Sequence, residues 1–484
     1  MARTRTLRDA VLVLVGAFCM HIATSFFGIF QPELFSGDII VNTQVNHHDT
    51  SPQSPIVDHH ADAPPQVIST VEPPTVDVAF DFPETTIEAH APGWTVFRDL
   101  YMANGTLFVV SSHSASEFPE IMFMASTGLP AENTPENIAA RMPTEKELAF
   151  ITPTQARKQW GAQLSPTNPI SQRNRVYSVQ GNTFLFNDPQ QFLDHYYHFC
   201  AELLLGAWAM WQGAHSARVD PAHADNFASP SVTRAIFAHA DATGWRDRPG
   251  FNSYFLRAVF PSLTVEVQAD WQDRIAATAA GGEHARAWHF DKVLLTDRSA
   301  AFRGVICGTQ VHRTAGEAFH YMRNLGQLSK WWWEPVRRAV LRFADVGDEV
   351  LDIGVRAAER AERGVTVPGP DEKIVITYIN RQGVRRHLID EDHDRLVEEL
   401  EKLCNSKGWE FNNAKAELMT KEQQLELVAR TTVLLGVHGN GLTVSFCLHP
   451  TFRSCLIKGS AFDYDVSDTY LDRHRDVLPP RLRA

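Results

Sequence analysis

Val433-Leu434-Leu435-Gly436-Val437-His438-Gly439-Asn440-Gly441-Leu442-Thr443-Val444-Ser445-Phe446 is an apolar run, a glycine-rich corner and a second apolar run. The pattern predicts a buried strand, a tight loop and a helix. Such a loop sits at the carboxyl end of its strand. Open α/β sheets bind ligands there, because the following helix points unpaired N–H groups into the crevice. Two glycines let a phosphate or sugar approach the backbone, and His438 adds a proton or hydrogen-bond donor. An ordinary turn between core elements is the competing reading.

The sequence upstream has the same grammar. Ile374–Ile379 reads as a strand, Asn380–Arg386 as an arginine-rich loop, Asp390 to about Asn405 as an amphipathic helix and Trp409–Phe411 as a short strand. Thr420–Arg430 reads as a helix opened by a Thr420/Gln423 capping box. Strands alternating with helices imply a parallel, doubly wound sheet. Earlier strands are expected at Thr106–Val110, Thr183–Phe186 and Lys292–Thr296, a buried helix over Gln190–Trp211, and a mostly helical stretch from Gly304 to Gly369.

The chain has 484 residues, 44% of them hydrophobic, and a formal net charge of −12. That length suggests two domains plus appendages, and the acidity without a basic stripe argues against a nucleic-acid partner. Arg3, Arg5 and Arg8 precede an uncharged run, Ala10–Phe30. As a helix it spans roughly 31 Å, about one bilayer core, and the flanking arginines orient it with residues 1–9 cytosolic. A cleaved signal peptide is the alternative. Residues 31–90 read as a disordered stem, with seven prolines between Pro52 and Pro83. Six cysteines include no CxxC pair, so a structural zinc site is not indicated; a Cys447–Cys455 disulfide is compatible with a lumenal compartment. Asn104-Gly105-Thr106 is a glycosylation acceptor sequence.

Three constellations invite chemistry. Arg381 follows its strand almost immediately, as His438 follows its own, so both loops should face one crevice. An arginine fork beside a glycine loop suits a diphosphate. Arg385 is placed with that site, although of Arg385 and Arg386 at least one is expected only to solvate the loop. On the helix 190–211, His195, His198 and Glu202 share a face at 3.6-residue spacing. Either they bond within the core, or they line a cleft and supply a general base, or they hold a metal. The Asp390-Glu391-Asp392, Asp392-His393-Asp394 and Asp463-Tyr464-Asp465 patterns resemble metal–diphosphate motifs, but the first cluster opens a helix, where acidic residues favour the dipole. Lys330-Trp331-Trp332-Trp333 either stacks on a sugar or anchors the next helix.

Taken together, Trp94 with Asn104-Gly105-Thr106-Leu107, Asp194-His195-Tyr196-Tyr197-His198-Phe199 with Glu202, Asn380-Arg381-Gln382 with Arg385-Arg386, and Gly436–Thr443 resemble the inverting glycosyltransferases of family 61. That family includes the enzyme adding GlcNAc to EGF repeats, an O-mannosyl GlcNAc-transferase and plant β1,2-xylosyltransferases. The wording here is most similar to fungal members. The resemblance implies a GT-B architecture of two facing Rossmann-like domains, an acceptor domain over 91–310 and a nucleotide-sugar domain over 311–465. It implies an enzyme of the Golgi or ER membrane, single-pass type II with its catalytic part lumenal. GlcNAc or xylose would pass from a UDP-sugar to a glycan or glycoprotein hydroxyl, without a metal or other cofactor. His195, His198 and Glu202 would be catalytic, and Arg381, Arg385, His438, Gly439, Asn440 and Gly441 would bind the nucleotide sugar. Lys458 stands where members carry a glutamate, and the segment after Asp463-Tyr464, with its tail 466–484, is short. Weak transfer with UDP binding retained is therefore expected. A catalytically impaired binding protein and a metal-dependent lumenal hydrolase are the alternatives.

Overall fold

A computed structural model of the chain describes residues 82–161, 174–215, 229–329, 331–365, 373–383, 386–437, 439–448 and 453–456. The expected span Ala10–Phe30 lies outside them. Among the described residues no helix is long and apolar enough to cross a membrane.

The first of two sheets holds β1 (Thr86–Ala91), β2 (Trp94–Ala103), β3 (Thr106–Val110), β4 (Leu148–Ile151), β5 (Val176–Pro189), β6 (Arg234–His239), β7 (Thr264–Glu266) and β8 (Ala287–Thr296). Its order is β4-β3-β2-β8-β5-β6-β7, with β1 and β3 sharing one edge of β2. Asn104 and Gly105 turn β2 into β3 with φ of +50° and +84°. That left-handed pair matches the strand twist of a two-residue hairpin and is the Asn-Gly signature of one. β5, β6, β7 and β8 run parallel, so the carboxyl ends of β5, β6 and β8 open on one side. β5 is buried on both faces. Phe184 and Phe186 pack with Trp208 and Trp211 of helix α1 (Leu205–His215), while Leu185 packs with Trp271 of α2 (Gln268–Thr278). Helices on both faces are what an almost continuously apolar parallel strand requires.

The second sheet is parallel throughout, in the order β10-β9-β11-β12, from β9 (Val375–Ile379), β10 (Glu410–Ala414), β11 (Val433–Gly436) and β12 (Arg453–Leu456). Helix α3 (Asp390–Lys407) joins β9 to β10, and α4 (Lys421–Arg430) joins β10 to β11. Thr420 and Gln423 form the expected capping box. Between the sheets runs the expected helical stretch, including α5 (Ala315–Asn324) and α6 (Glu334–Phe343).

Two expectations need correction. The fold begins before residue 90: β1 pairs with Trp94–Arg98, and Phe82 is buried against Tyr101 and Trp160. Only the prolines, which end at Pro83, had argued for stem. The helix 190–211 is interrupted. Gln190–Leu193 is α-helical, Asp194 and His195 break the helix, and from Tyr196 the chain is helical again, with Tyr197–Leu204 a π-helix continuing into α1. The Asn252 side chain donates to the Leu193 carbonyl at 2.7 Å, which takes up a helical acceptor at the break. The helix expected after the glycine loop is present as a 3-10 helix, Asn440–Cys447. Cys447 is a free, buried thiol.

A chain lacking residues 1–73 should melt as cooperatively as the whole protein. One lacking 1–91 loses β1 and the burial of Phe82, worth about 1.5–3 kcal/mol alone, and should melt clearly lower. Equal melting temperatures by calorimetry would remove β1 from the folding unit.

Candidate functional site

At the carboxyl end of β5 stands Asp188, and just past the end of β8 stand Asp297 and Arg298. All three are buried. Arg298 Nη1 donates to Glu202 Oε2 at 2.5 Å, and its Nε lies 3.3 Å from Asp188 Oδ1. Its guanidinium sits over the Phe192 ring, 4.2 Å from the centroid. One buried cation thus faces two buried carboxylates. Burial pushes the Glu202 carboxyl up, but Arg298 and His198 outweigh it and hold it below the usual range. Burial pushes Asp188 up to about 7 despite Arg298. The pair divides its charge accordingly, Glu202 ionised and Asp188 the more readily protonated of the two. Asp297 caps the short helix Arg298–Ala301 through the Ala300 N–H at 2.8 Å and accepts from Asn187 at 2.7 Å.

His198 Nδ1 is 2.7 Å from Glu202 Oε2, and the ring is about one-third exposed. With Nδ1–H donating, Nε2 is the basic nitrogen. The His195 ring lies 4.9 Å from that of His198. Burial and the neighbouring His198 lower the His195 pKa, so it stays neutral near pH 7. Its Nδ1 has no hydrogen-bond partner among the described residues, and neither has Oδ2 of buried Asp247, whose charge acts on it. The expected grouping of His195, His198 and Glu202 therefore forms. As metal ligands they fit poorly, because Arg298 and His198 both occupy the same Glu202 oxygen. Among the described residues no three His, Cys, Asp or Glu side chains group as metal ligands do.

In the second sheet β9 and β11 are neighbours, which brings the loops beyond their carboxyl ends together. Gly439 has φ of +111°, and a β-carbon there would overlap the Arg381 guanidinium. At Gly441 a β-carbon would come within 3.3 Å of Ile379. Burial and then Arg386 lower the Arg381 pKa, without threatening its charge. Asn380 is buried and donates to Asn413 Oδ1 at 3.0 Å. Beside it opens a shallow groove of about 520 Å³, lined by residues including Asn380, Asn412, Asn413, Lys415, Leu418 and Met419. The two halves of the site touch, since the 3-10 helix Asn440–Cys447 packs on the π-helix that carries His198 and Glu202. Val444 and Cys447 share a core with Tyr196, Cys200 and Leu203.

Arg385, His438 and Lys458 lie outside the described residues, as do Lys330 and Asp463–Asp465. Asp390, Glu391 and Asp392 occupy the first turn of α3, the helix-opening position. Trp331 and Trp332 are buried, which is the anchoring role. Asn104 is exposed at its hairpin turn. The sequence reading missed Asp188, Asp297 and Arg298. Their signal was the one used for Arg381, a charged side chain at or just past the end of an apolar strand.

The family model for Glycosyltransferase 61 matches residues 196–456, just over half of the chain. No curated protein matches the chain.

Asp188 titrates near 7 when folded and near 3.9 when unfolded. Between those values the folded state binds the extra proton, so this group's contribution to stability falls as pH rises from about 4 to about 7. Asp188→Asn should flatten that decline in urea unfolding at pH 5 and pH 7.5. A slope identical to the wild type's would assign the titration elsewhere.

Proposed function

This chain belongs to glycosyltransferase family 61, and we propose that it moves GlcNAc or xylose from a UDP-sugar to a glycan or glycoprotein hydroxyl with inversion. The observation carrying this reading is the packing of Arg381 against Gly439 at the carboxyl ends of adjacent parallel strands. A guanidinium beside a glycine loop matches a diphosphate. The groove beside Asn380 offers side-chain amides and apolar surface to the nucleoside. Two α/β sheets, with the segment after Gly439 packed on the histidine-bearing helix, support a GT-B arrangement, with the first lobe receiving the acceptor. On the sequence side, Ala10–Phe30 supports a single-pass type II anchor with the catalytic part in the Golgi or ER lumen.

Inversion needs one displacement. The acceptor oxygen attacks the anomeric carbon from the face opposite UDP, its proton goes to a base, and the glycosyl–phosphate bond breaks with its electrons on the diphosphate. His198 is the base: Nδ1–H is held by Glu202, leaving Nε2 to take the proton. Ionised Glu202 stabilises the imidazolium that forms, and Arg298 and Phe192 hold that carboxylate in place. Arg381, with the loop from His438 to Gly441, stabilises the charge on the departing diphosphate, so no metal is required. Groups of this kind are worth roughly 3–4 kcal/mol when well placed. Arg385 is assigned to the same diphosphate, and neutral His195 helps orient the acceptor.

Arg381→Ala should weaken UDP binding by about 1.5–3 kcal/mol, the range for a hydrogen bond to a charged group. Calorimetry showing unchanged UDP affinity would take Arg381 out of the site. His198→Ala should leave UDP binding intact and lower turnover about 10²–10⁴-fold. Loss of UDP binding in a folded His198→Ala protein would put this residue on the donor side. UDP release unaffected by EDTA is expected; abolition by EDTA would favour metal-dependent chemistry.

A further inference from the structure

The stretch Trp332–Arg338 touches both halves of the site. The Trp208 indole N–H donates to the Trp332 carbonyl at 2.9 Å. Trp208 lies on α1, the direct continuation of the π-helix bearing His198 and Glu202. One residue on, the Trp333 indole N–H donates to the Phe446 carbonyl at 2.8 Å, and Arg337 Nε donates to the Cys447 carbonyl at 3.1 Å. Those carbonyls belong to the last turn of the segment that begins at Asn440-Gly441. The final carbonyls of a helical segment lack partners within it, and a cation there also opposes the negative end of its dipole.

Arg337 is itself fixed from behind. Its Nη1 donates to Glu334 Oε1 at 2.8 Å and lies 3.3 Å from the Leu351 carbonyl. The same Glu334 oxygen accepts from Arg338 Nε at 3.0 Å, and Arg338 Nη2 reaches Asp352 at 2.5 Å. Glu334 and Arg337 are almost wholly buried. Among the described residues Glu334 Oε2 and Arg337 Nη2 have no hydrogen-bond partner. Apolar side chains of similar volume would hold α6 without that desolvation cost, so stability alone does not account for the network. An ionic network is directional, however, and fixes the carbonyls it grips to a small range of positions.

We propose that Trp333 and Arg337 are positioning residues, which brace the end of the glycine-loop segment and so set the loop against the histidine-bearing helix. Gly439 is fixed at the other end by its contact with Arg381. The segment is therefore pinned at both ends, and the loop amides between the pins are held where a diphosphate needs them. The Trp332 carbonyl ties the same brace to α1. This inference rests on the reading of the loop as the diphosphate site.

Trp333→Phe keeps a ring and removes one donor from a half-buried position. Arg337→Met keeps length and removes the cation, while Arg337→Lys retains the cation. UDP titration calorimetry should show Trp333→Phe and Arg337→Met weakened about three- to tenfold, the equivalent of one lost hydrogen bond, with Arg337→Lys recovering most of the loss. Backbone amides of 440–447 should exchange hydrogen faster in the two weakened variants, while those of β9 keep the wild-type rate. Unchanged UDP affinity in folded Trp333→Phe and Arg337→Met would overturn the brace, as would equal acceleration of exchange in β9. If Arg337→Met does not fold, Trp333→Phe decides alone. If the unmodified chain fails to bind UDP, the diphosphate reading falls, and the exchange pattern still decides whether these residues hold the segment.

Discussion

The Arg298 guanidinium, buried between Glu202 and Asp188 and stacked over Phe192, is the interaction around which the buried charges of the first lobe are arranged. Its energetics are those of a shared counter-ion. A single buried cation cannot neutralise two carboxylates, so the site favours one ionised and one protonated acid. Glu202 also receives His198 and becomes the ionised one; Asp188, enclosed at the strand end, is the one that takes up a proton first as pH falls. A buried ion pair of this type contributes little net stability against an apolar replacement. What it provides is a carboxylate of fixed orientation, and through it a fixed histidine.

In the second lobe it is backbone geometry that places the charge. Adjacent parallel strands β9 and β11 end at the same level, so whatever follows each strand meets its counterpart. Gly439 at positive φ admits the Arg381 side chain where a β-carbon would exclude it. The two lobes then share one apolar core, in which Val444 and Cys447 from the loop segment lie with Tyr196, Cys200 and Leu203. Contact through a close-packed core transmits position rather than absorbing it. Movement of the loop segment relative to the π-helix is thus resisted by packing as well as by hydrogen bonds from Trp333 and Arg337.

The parallel sheet of the second lobe was legible because each of its signals is local. The Thr420/Gln423 capping box, the apolar run at Val433 and the acidic first turn at Asp390 all act within a few residues. In the first lobe the local signals misled at two places. Prolines up to Pro83 obscured a strand starting at Thr86. The uniformly apolar run after Gln190 suggested one helix, whereas a break and a π-helix occur; at the break the Leu193 carbonyl is taken up by Asn252, some sixty residues away in sequence. The hairpin at Asn104-Gly105 was written in the sequence, but the acceptor pattern it shares with glycosylation drew the reading instead.

By itself the sequence determined the alternation of strands and helices, the family to which the chain belongs, and the residue types at the strand ends and in the glycine loop. Those follow from composition and spacing along one stretch of chain. Only the tertiary structure decided which charges meet. Asp188, Glu202 and Arg298 come from three separate segments, and Arg337 finds the Cys447 carbonyl across 110 residues. Side-chain partnerships of this kind depend on strand order and on the direction in which each parallel strand ends. Neither is encoded by any local periodicity, so the acid with the raised pKa and the brace behind the loop appear only once the chain is folded.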